Sequence, residues 1–158
     1  VSQERRVSQS SKRVDHVIFC LEPENVASAA ATFTKLLDIE LEGPLERADT
    51  GLVIYVDWDA GIELMAPTDP SIAREQRQFL DEQGEGVFRI CFNFPDRDDA
   101  LDRATSMGID VRSRFNVLDL FPHWRNRFDR VLESHLERVH GVSFNFCQVD
   151  IRSTAEVP

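Results

Sequence analysis

The sequence predicts an α+β fold built from two tandem βαβββ modules, and three observations carry that expectation. β-Prone runs alternate with segments of 3.6-residue periodicity. The order strand, helix, three strands occurs over residues 14–66 and again over 87–150. The opening strands, Val14–Leu21 and Val87–Phe94, are offset by 73 residues, an internal duplication of about 60 to 70 residues. At 158 residues and 18.1 kDa, with 42% hydrophobic and 29% charged residues, the composition is that of one structural domain. A chain of this length buries a core without disulfide or metal staples, so the three cysteines, an odd number, read as thiols.

Residues 1–13 and 151–158 are polar and aperiodic and read as flexible tails. Val14–Leu21 is β-branched and aromatic, and Glu22-Pro23-Glu24-Asn25 ends it and starts a helix whose apolar positions are Val26, Ala29, Ala30, Phe33, Leu36 and Leu37. Extended segments follow at Ile39–Glu46, Gly51–Trp58 and Gly61–Ala66, separated by the turn sequences Asp49-Thr50-Gly51 and Asp59-Ala60-Gly61. Residues 67–86 form a linker, helical over Ser71–Gln83 and broken at Gly84-Glu85-Gly86. The second module opens at Val87–Phe94. Asp96 and Asp99 form a helix-start pair, and Ala100, Leu101, Ala104 and Met107 line a face ended by Gly108. Strands are expected at Ile109–Phe115, Arg130–Leu136 and Val142–Val149, with residues 116–127, including Phe121-Pro122-His123-Trp124, inserted between two of them.

Acidic residues outnumber basic ones by 28 to 18, a net charge of −10 that argues against nonspecific binding of nucleic acid or anionic membranes. No run reaches the roughly 18 apolar residues of a membrane span, and no secretory signal is apparent, so the expected compartment is the cytoplasm. Sixteen of the eighteen basic residues are Arg, which a genomic composition bias explains as well as any binding role.

The segments "VDHVIFCL", "GIELMAP" and "GEGVFRICFNFPD", in this order across two βαβββ modules, resemble the vicinal oxygen chelate superfamily, which includes glyoxalase I, methylmalonyl-CoA epimerase, extradiol dioxygenases and bleomycin-resistance proteins. The resemblance covers Val14 to Val149 and is nearest to the epimerase-like branch, where the pattern GEGxHHIAFxxPD follows a linker helix. It implies an open barrel-like sheet with helices outside, a homodimer, and a divalent metal held by four inward positions. Those positions fall here on His16, Glu63, Arg89 and Asn145.

His16 and Glu63 are competent ligands, whereas Arg has no lone pair to donate and Asn offers only a weak carbonyl. The expectation is therefore no metal and no other cofactor. Period-two alternation sets His16, Ile18 and Cys20 on one face with Glu63 and Met65, Arg89, Cys91 and Asn93, and Ser143, Asn145 and Cys147. Two readings of Glu63 and Arg89 remain open. They form an ion pair filling the former metal space; or Arg89 and Asn145 hold a substrate oxygen while Glu63 and His16 move a proton beside a carbonyl.

Tyr55 is a weaker substrate-binding candidate. His123, His135 and His140 lack tight ligand spacing, and parity places His135 and His140 poorly for a ligand role. The cysteines read as buried filler. Trp58, Trp124, Phe121 and Phe128 roof a pocket or pack at a dimer contact, and the insertion is the natural specificity element. The functional expectation is a metal-independent isomerase, epimerase or lyase acting on a small molecule with a carbonyl or anionic group. The alternatives are a ligand-sequestering protein like the bleomycin-resistance branch, and a metal-dependent epimerase, glyoxalase or dioxygenase. A coenzyme A thioester fits the resemblance, but no phosphate-cradling glycine loop is present.

Overall fold

The structure, a computed structural model, describes residues 12–153. The N-terminal tail expected over 1–13 and the C-terminal one over 151–158 fall mostly outside them; the first strand already begins at Arg13 and the last ends at Ile151. The observed order is β1 (Arg13–Cys20), α1 (Val26–Leu37), β2 (Glu42–Arg47), β3 (Leu52–Asp57), β4 (Ile62–Pro67), α2 (Arg74–Gln83), β5 (Gly86–Asn93), α3 (Arg97–Ser106), β6 (Val111–Asn116), α4 (Val117–Leu120), a 3-10 helix (Pro122–Asn126), β7 (Phe128–Val139) and β8 (Val142–Ile151). This is the α+β class with a βαβββ order occurring twice. No described helix is long and apolar enough to cross a membrane.

The chain divides into two compact units, residues 15–90 and, among those described, 91–153 with 12–14. In the first, the strand order is β2-β3-β4-β1-β5. Parallel pairing sets Ile18 beside Glu63 and Cys20 beside Met65, and antiparallel pairing sets Val56 beside Glu63 and Tyr55 beside Leu64. Directly paired residues share a face. One face therefore carries Ile18, Cys20, Val56, Glu63 and Met65. The other packs Leu64, Val53 and Phe19 against Val26, Ala30 and Phe33 of α1. Each large apolar side chain so buried contributes roughly 1.5–3 kcal/mol. Leu36 and Leu37, expected on the buried face of α1, are exposed, because its last turn lies beyond that cluster. The N-terminus of α1 is not capped by Asn25 itself; Glu85 Oε1 accepts from the Glu22 backbone N–H and from Asn25 Nδ2, both at 2.9 Å.

In the second unit the order is β5-β8-β7-β6. Leu101 and Ala104 of α3 bury against Leu136, Phe144 and Phe146, and the Asp96 side chain accepts from the Asp99 N–H at 3.0 Å, as the helix-start pair predicts. Met107, read as part of the helix face, is instead largely exposed at the C-cap. The expected β7 proves longer at both ends, because its antiparallel pairing with β8 continues to Val139–Val142. The insertion folds into α4 and the 3-10 helix, with Trp124 buried against Phe121.

Gly61 turns β3 into β4 at φ +67°, and a Cβ there would lie 2.5 Å from the Asp15 carbonyl oxygen. Its own carbonyl accepts from the Val17 N–H at 2.9 Å, so the glycine lets this turn seat against β1 beside His16. Gly61→Ala is expected to destabilise the protein by about 2–3 kcal/mol and lower Tm by roughly 5–10 °C. Gly84→Ala, at φ +74° with nothing within 4 Å, carries only the backbone cost. Equal shifts for the two variants in a thermal melt would refute a steric role for the Asp15 contact.

Candidate functional site

His16 is 1% exposed and stands between two carboxylates. Its Nδ1 lies 2.9 Å from Asp15 Oδ2, its Nε2 lies 3.6 Å from Glu63 Oε2, and the Trp58 ring meets it edge-on at 5.6 Å. Asp15 lies on the Nδ1 side of the ring, and Nε2 is the nitrogen that faces Glu63. The 3.6 Å separation is an ion-pair distance rather than a full hydrogen bond. Strand geometry makes this arrangement: β1 and β4 run parallel, and the tight turn at Gly61 brings the start of β4 alongside the start of β1.

Arg89, on β5, is 3% exposed and ion-paired through Nη2 with Glu75 in the first turn of α2, while its guanidinium carbon sits 4.4 Å from the centre of the Phe88 ring. α2 is held in place by its own contacts. Leu80 is buried, Phe79 meets Phe88 edge-on at 5.1 Å, and Cys20 Sγ donates to the Gln76 carbonyl at 3.8 Å. Burial pushes the Cys20 thiol from 9.0 up to about 12, against the opposing field of Arg77. Its folded pKa lies above the unfolded one, so its stabilising contribution is full below pH 9 and is lost as pH rises towards 12. Fully buried, the Cys20 thiol is expected to resist iodoacetamide at pH 8.5 and to react fully once the chain is unfolded in guanidinium. Rapid labelling of the folded protein at Cys20, mapped by peptide mass spectrometry, would contradict this.

Tyr55 does not join the candidate set. It pairs with Leu64 and packs in the α1 cluster, the face opposite Glu63, because one residue along a strand reverses the side-chain direction. In the second unit Asn145 is fully buried, and its Nδ2 donates to Glu133 Oε2 at 3.2 Å. Its Oδ1 has no partner among the described residues, so the amide presents an acceptor. Glu133, 6% exposed, pairs across β7 and β8 with Cys147, and His135 pairs with Asn145, so both share the Asn145 face. The parity expected for His135 is thereby corrected. Its ring meets Phe115 edge-on at 5.1 Å. His123 stacks with Phe121 and Trp124 in the insertion, and His140 occupies the β7–β8 turn at φ +50°.

Asp15, Glu75, Glu133 and the placement of His135 were not identified from sequence. Alternation places Asp15 opposite His16, and Glu75 reads as an exposed helix residue. Glu133, a carboxylate between Leu132 and the buried Ser134, is the one with a usable signal: a charge inside an otherwise β-prone run.

The four positions that the family resemblance marks for a metal differ in what they can donate. Arg89 carries a permanent cation paired with Glu75 and has no lone pair to donate, His16 and Glu63 are competent ligands, and Asn145 keeps its Oδ1 as an acceptor while its Nδ2 donates to Glu133.

The βαβββ order thus occurs twice, and the buried His16 faces the partly buried Glu63 across two parallel strands. Residues 15–118 match the model of the Glyoxalase/Bleomycin resistance protein/Dioxygenase superfamily, and the chain belongs to that family. No curated protein shows significant sequence similarity to it. Methylmalonyl-CoA epimerase from Mycobacterium tuberculosis superposes with a TM-score of 0.65 at 19% identity, over 91% of this chain and 93% of that one. A Streptomyces coelicolor methylmalonyl-CoA epimerase in complex with 2-nitronate-propionyl-CoA superposes at 0.63 and 19% identity, over 88% and 98%. 4-Hydroxymandelate synthase from Streptomyces coelicolor gives 0.66 at 18% identity, over 91% of this chain but 50% of that one. At these identities the likeness is one of fold, which hosts many chemistries.

Proposed function

We propose that the protein is a cytoplasmic, homodimeric isomerase, epimerase or lyase that moves a proton next to the carbonyl of an anionic organic substrate without a metal ion. The carrying observation is the placement of His16 Nε2 opposite Glu63 Oε2 at 3.6 Å, with Asp15 fixing the far side of the ring. His16, Glu63 and Arg89 lie in the same unit and carry the proposed chemistry. Glu63 takes the proton from the carbon next to the carbonyl, and His16 shares or returns it. Arg89 supplies the fixed positive charge that stabilises the enolate-like oxygen or anchors the acid group, as a metal does elsewhere in this fold. Similarity to epimerases that bind coenzyme A thioesters makes acyl thioesters of dicarboxylic acids a reasonable first panel beside free 2-oxo acids.

The test is proton exchange in deuterium oxide, followed by NMR at the carbon next to the carbonyl, on protein whose metal content has been measured by elemental analysis. Protein-dependent exchange with no stoichiometric metal supports the proposal. Tight binding of a ligand recovered unchanged and unexchanged would favour a sequestering protein instead. Activity that appears only with retained or added zinc, nickel, cobalt, manganese or iron would overturn metal independence.

A further inference from the structure

Glu75 has no part in the chemistry above, yet it occupies the place where that chemistry needs a ligand. Arg89 is 97% buried by its side-chain accessibility of 3%, while the Glu75 side chain that pairs with it is 51% exposed. A half-exposed carboxylate gains little from leaving water for a surface pair, whereas a buried guanidinium without an anion is costly. Glu75 is thus one anion on Arg89, and a carboxylate reaching the same nitrogen replaces it.

The supply route is also built for exchange. Glu75 sits in the first turn of α2, whose start is capped by no side chain, and α2 is anchored further along by Leu80 and by Phe79 against Phe88. The Glu75 side chain is already 51% exposed, so its release to solvent does not require those anchors to move. The group already accommodated is a flat, singly charged carboxylate, and a guanidinium matches that shape through paired N–H donors.

We infer that Glu75 is a tethered stand-in for the substrate's acid group: the ligand is a carboxylic acid whose carboxylate displaces Glu75 from Arg89. The inference rests on Arg89 being the anion anchor of the proposed function and adds the substrate class and a specificity residue. Glu75 would hold the site closed to weak anions, because any ligand must compete with a tethered carboxylate whose effective concentration is on the order of millimolar or above. In the occupied state the released Glu75 faces solvent. The apparent affinity of the wild type is thus reduced by the fraction of molecules in which Arg89 is already engaged.

The experiment measures binding of malonate, acetate, inorganic phosphate and neutral malonamide by calorimetry and by ligand-induced thermal shift. The proteins are the wild type, Glu75→Gln, Glu75→Ala and the same-helix control Glu82→Gln. The expected result is at least about tenfold tighter malonate binding by both Glu75 variants, a lower Tm for them without ligand that carboxylates restore, no change for malonamide, and wild-type behaviour for Glu82→Gln. Malonate binding equal in the wild type and both Glu75 variants would overturn displacement while leaving Arg89 as anchor. Phosphate binding more tightly than malonate to the Glu75 variants would overturn the carboxylate assignment. Absence of anion binding in every protein would overturn the anchor itself, and with it the anionic part of the proposed function. Should Glu75→Ala fail to fold, the near-isosteric Glu75→Gln carries the same test.

Discussion

Replacing Glu63 with Gln is expected to lower exchange or turnover by about 10²–10⁴-fold while ligand affinity stays within about tenfold. The substitution keeps the shape and one acceptor oxygen but removes the lone pair that takes the proton. His16 loses the charge facing its Nε2 at 3.6 Å and keeps Asp15 on Nδ1 at 2.9 Å, so ring orientation survives. Glu63 is partly accessible, with 12% of its side chain exposed, so the neutral amide is readily solvated and the fold is not at stake. A kcat decrease with near-constant KM, read together with an unchanged melt, is the expected signature. Equal loss of binding and turnover would mean that Glu63 holds ligand and does not move a proton; unchanged turnover would remove it from the chemistry.

Arg89→Ala should have the largest effect on binding, a loss of roughly 10²–10³-fold for anionic ligands with little change for neutral ones. The physical argument is the burial. A guanidinium at 3% exposure acts where water screens it weakly, so its charge is worth more to a ligand than any surface Arg of this chain. The stability cost is expected to be smaller than the 3–5 kcal/mol typical of breaking a buried pair, because the partner left behind, Glu75, is half exposed and can hydrate. Arg89→Lys is predicted to recover charge but not the paired N–H geometry, and so only part of the affinity. Titration of malonate against wild type, Arg89→Ala and Arg89→Lys decides it. Retention of full affinity by Arg89→Ala in a folded protein would remove the anchor.

Much of the scaffold was legible in the residues themselves. The period-two runs and the 3.6 pattern at Val26, Ala29, Ala30 and Phe33 depend on local covalent geometry, and the structure returns β1, α1, β3, β4 and β5 within a few residues of where they were expected. The alternation that puts His16 and Glu63 on one face was also readable, because parity along a regular strand needs no tertiary information. Leu36, Leu37 and Met107 show where that logic ends. Periodicity marks the side of a helix that can be buried, but only the length of the opposing surface decides how many turns are covered.

The site departs from its sequence reading where contacts are made across the fold. Tyr55 was ambiguous until pairing with Leu64 assigned its face, and His135 and Glu133 took the Asn145 face through the β7–β8 register. Asn145, a candidate for holding a substrate oxygen, gives an amide hydrogen to Glu133. One of the two readings paired Arg89 with Glu63; the structure pairs it with Glu75 from the linker helix. By itself the sequence determined the module order, the faces of β1 and β4 and the residue types at the four candidate ligand positions, because these follow from local geometry and from what each side chain can ligate. Only the tertiary structure decided which charges meet. Ion pairing depends on distances of a few ångströms between segments far apart in the chain, and no local period encodes those distances.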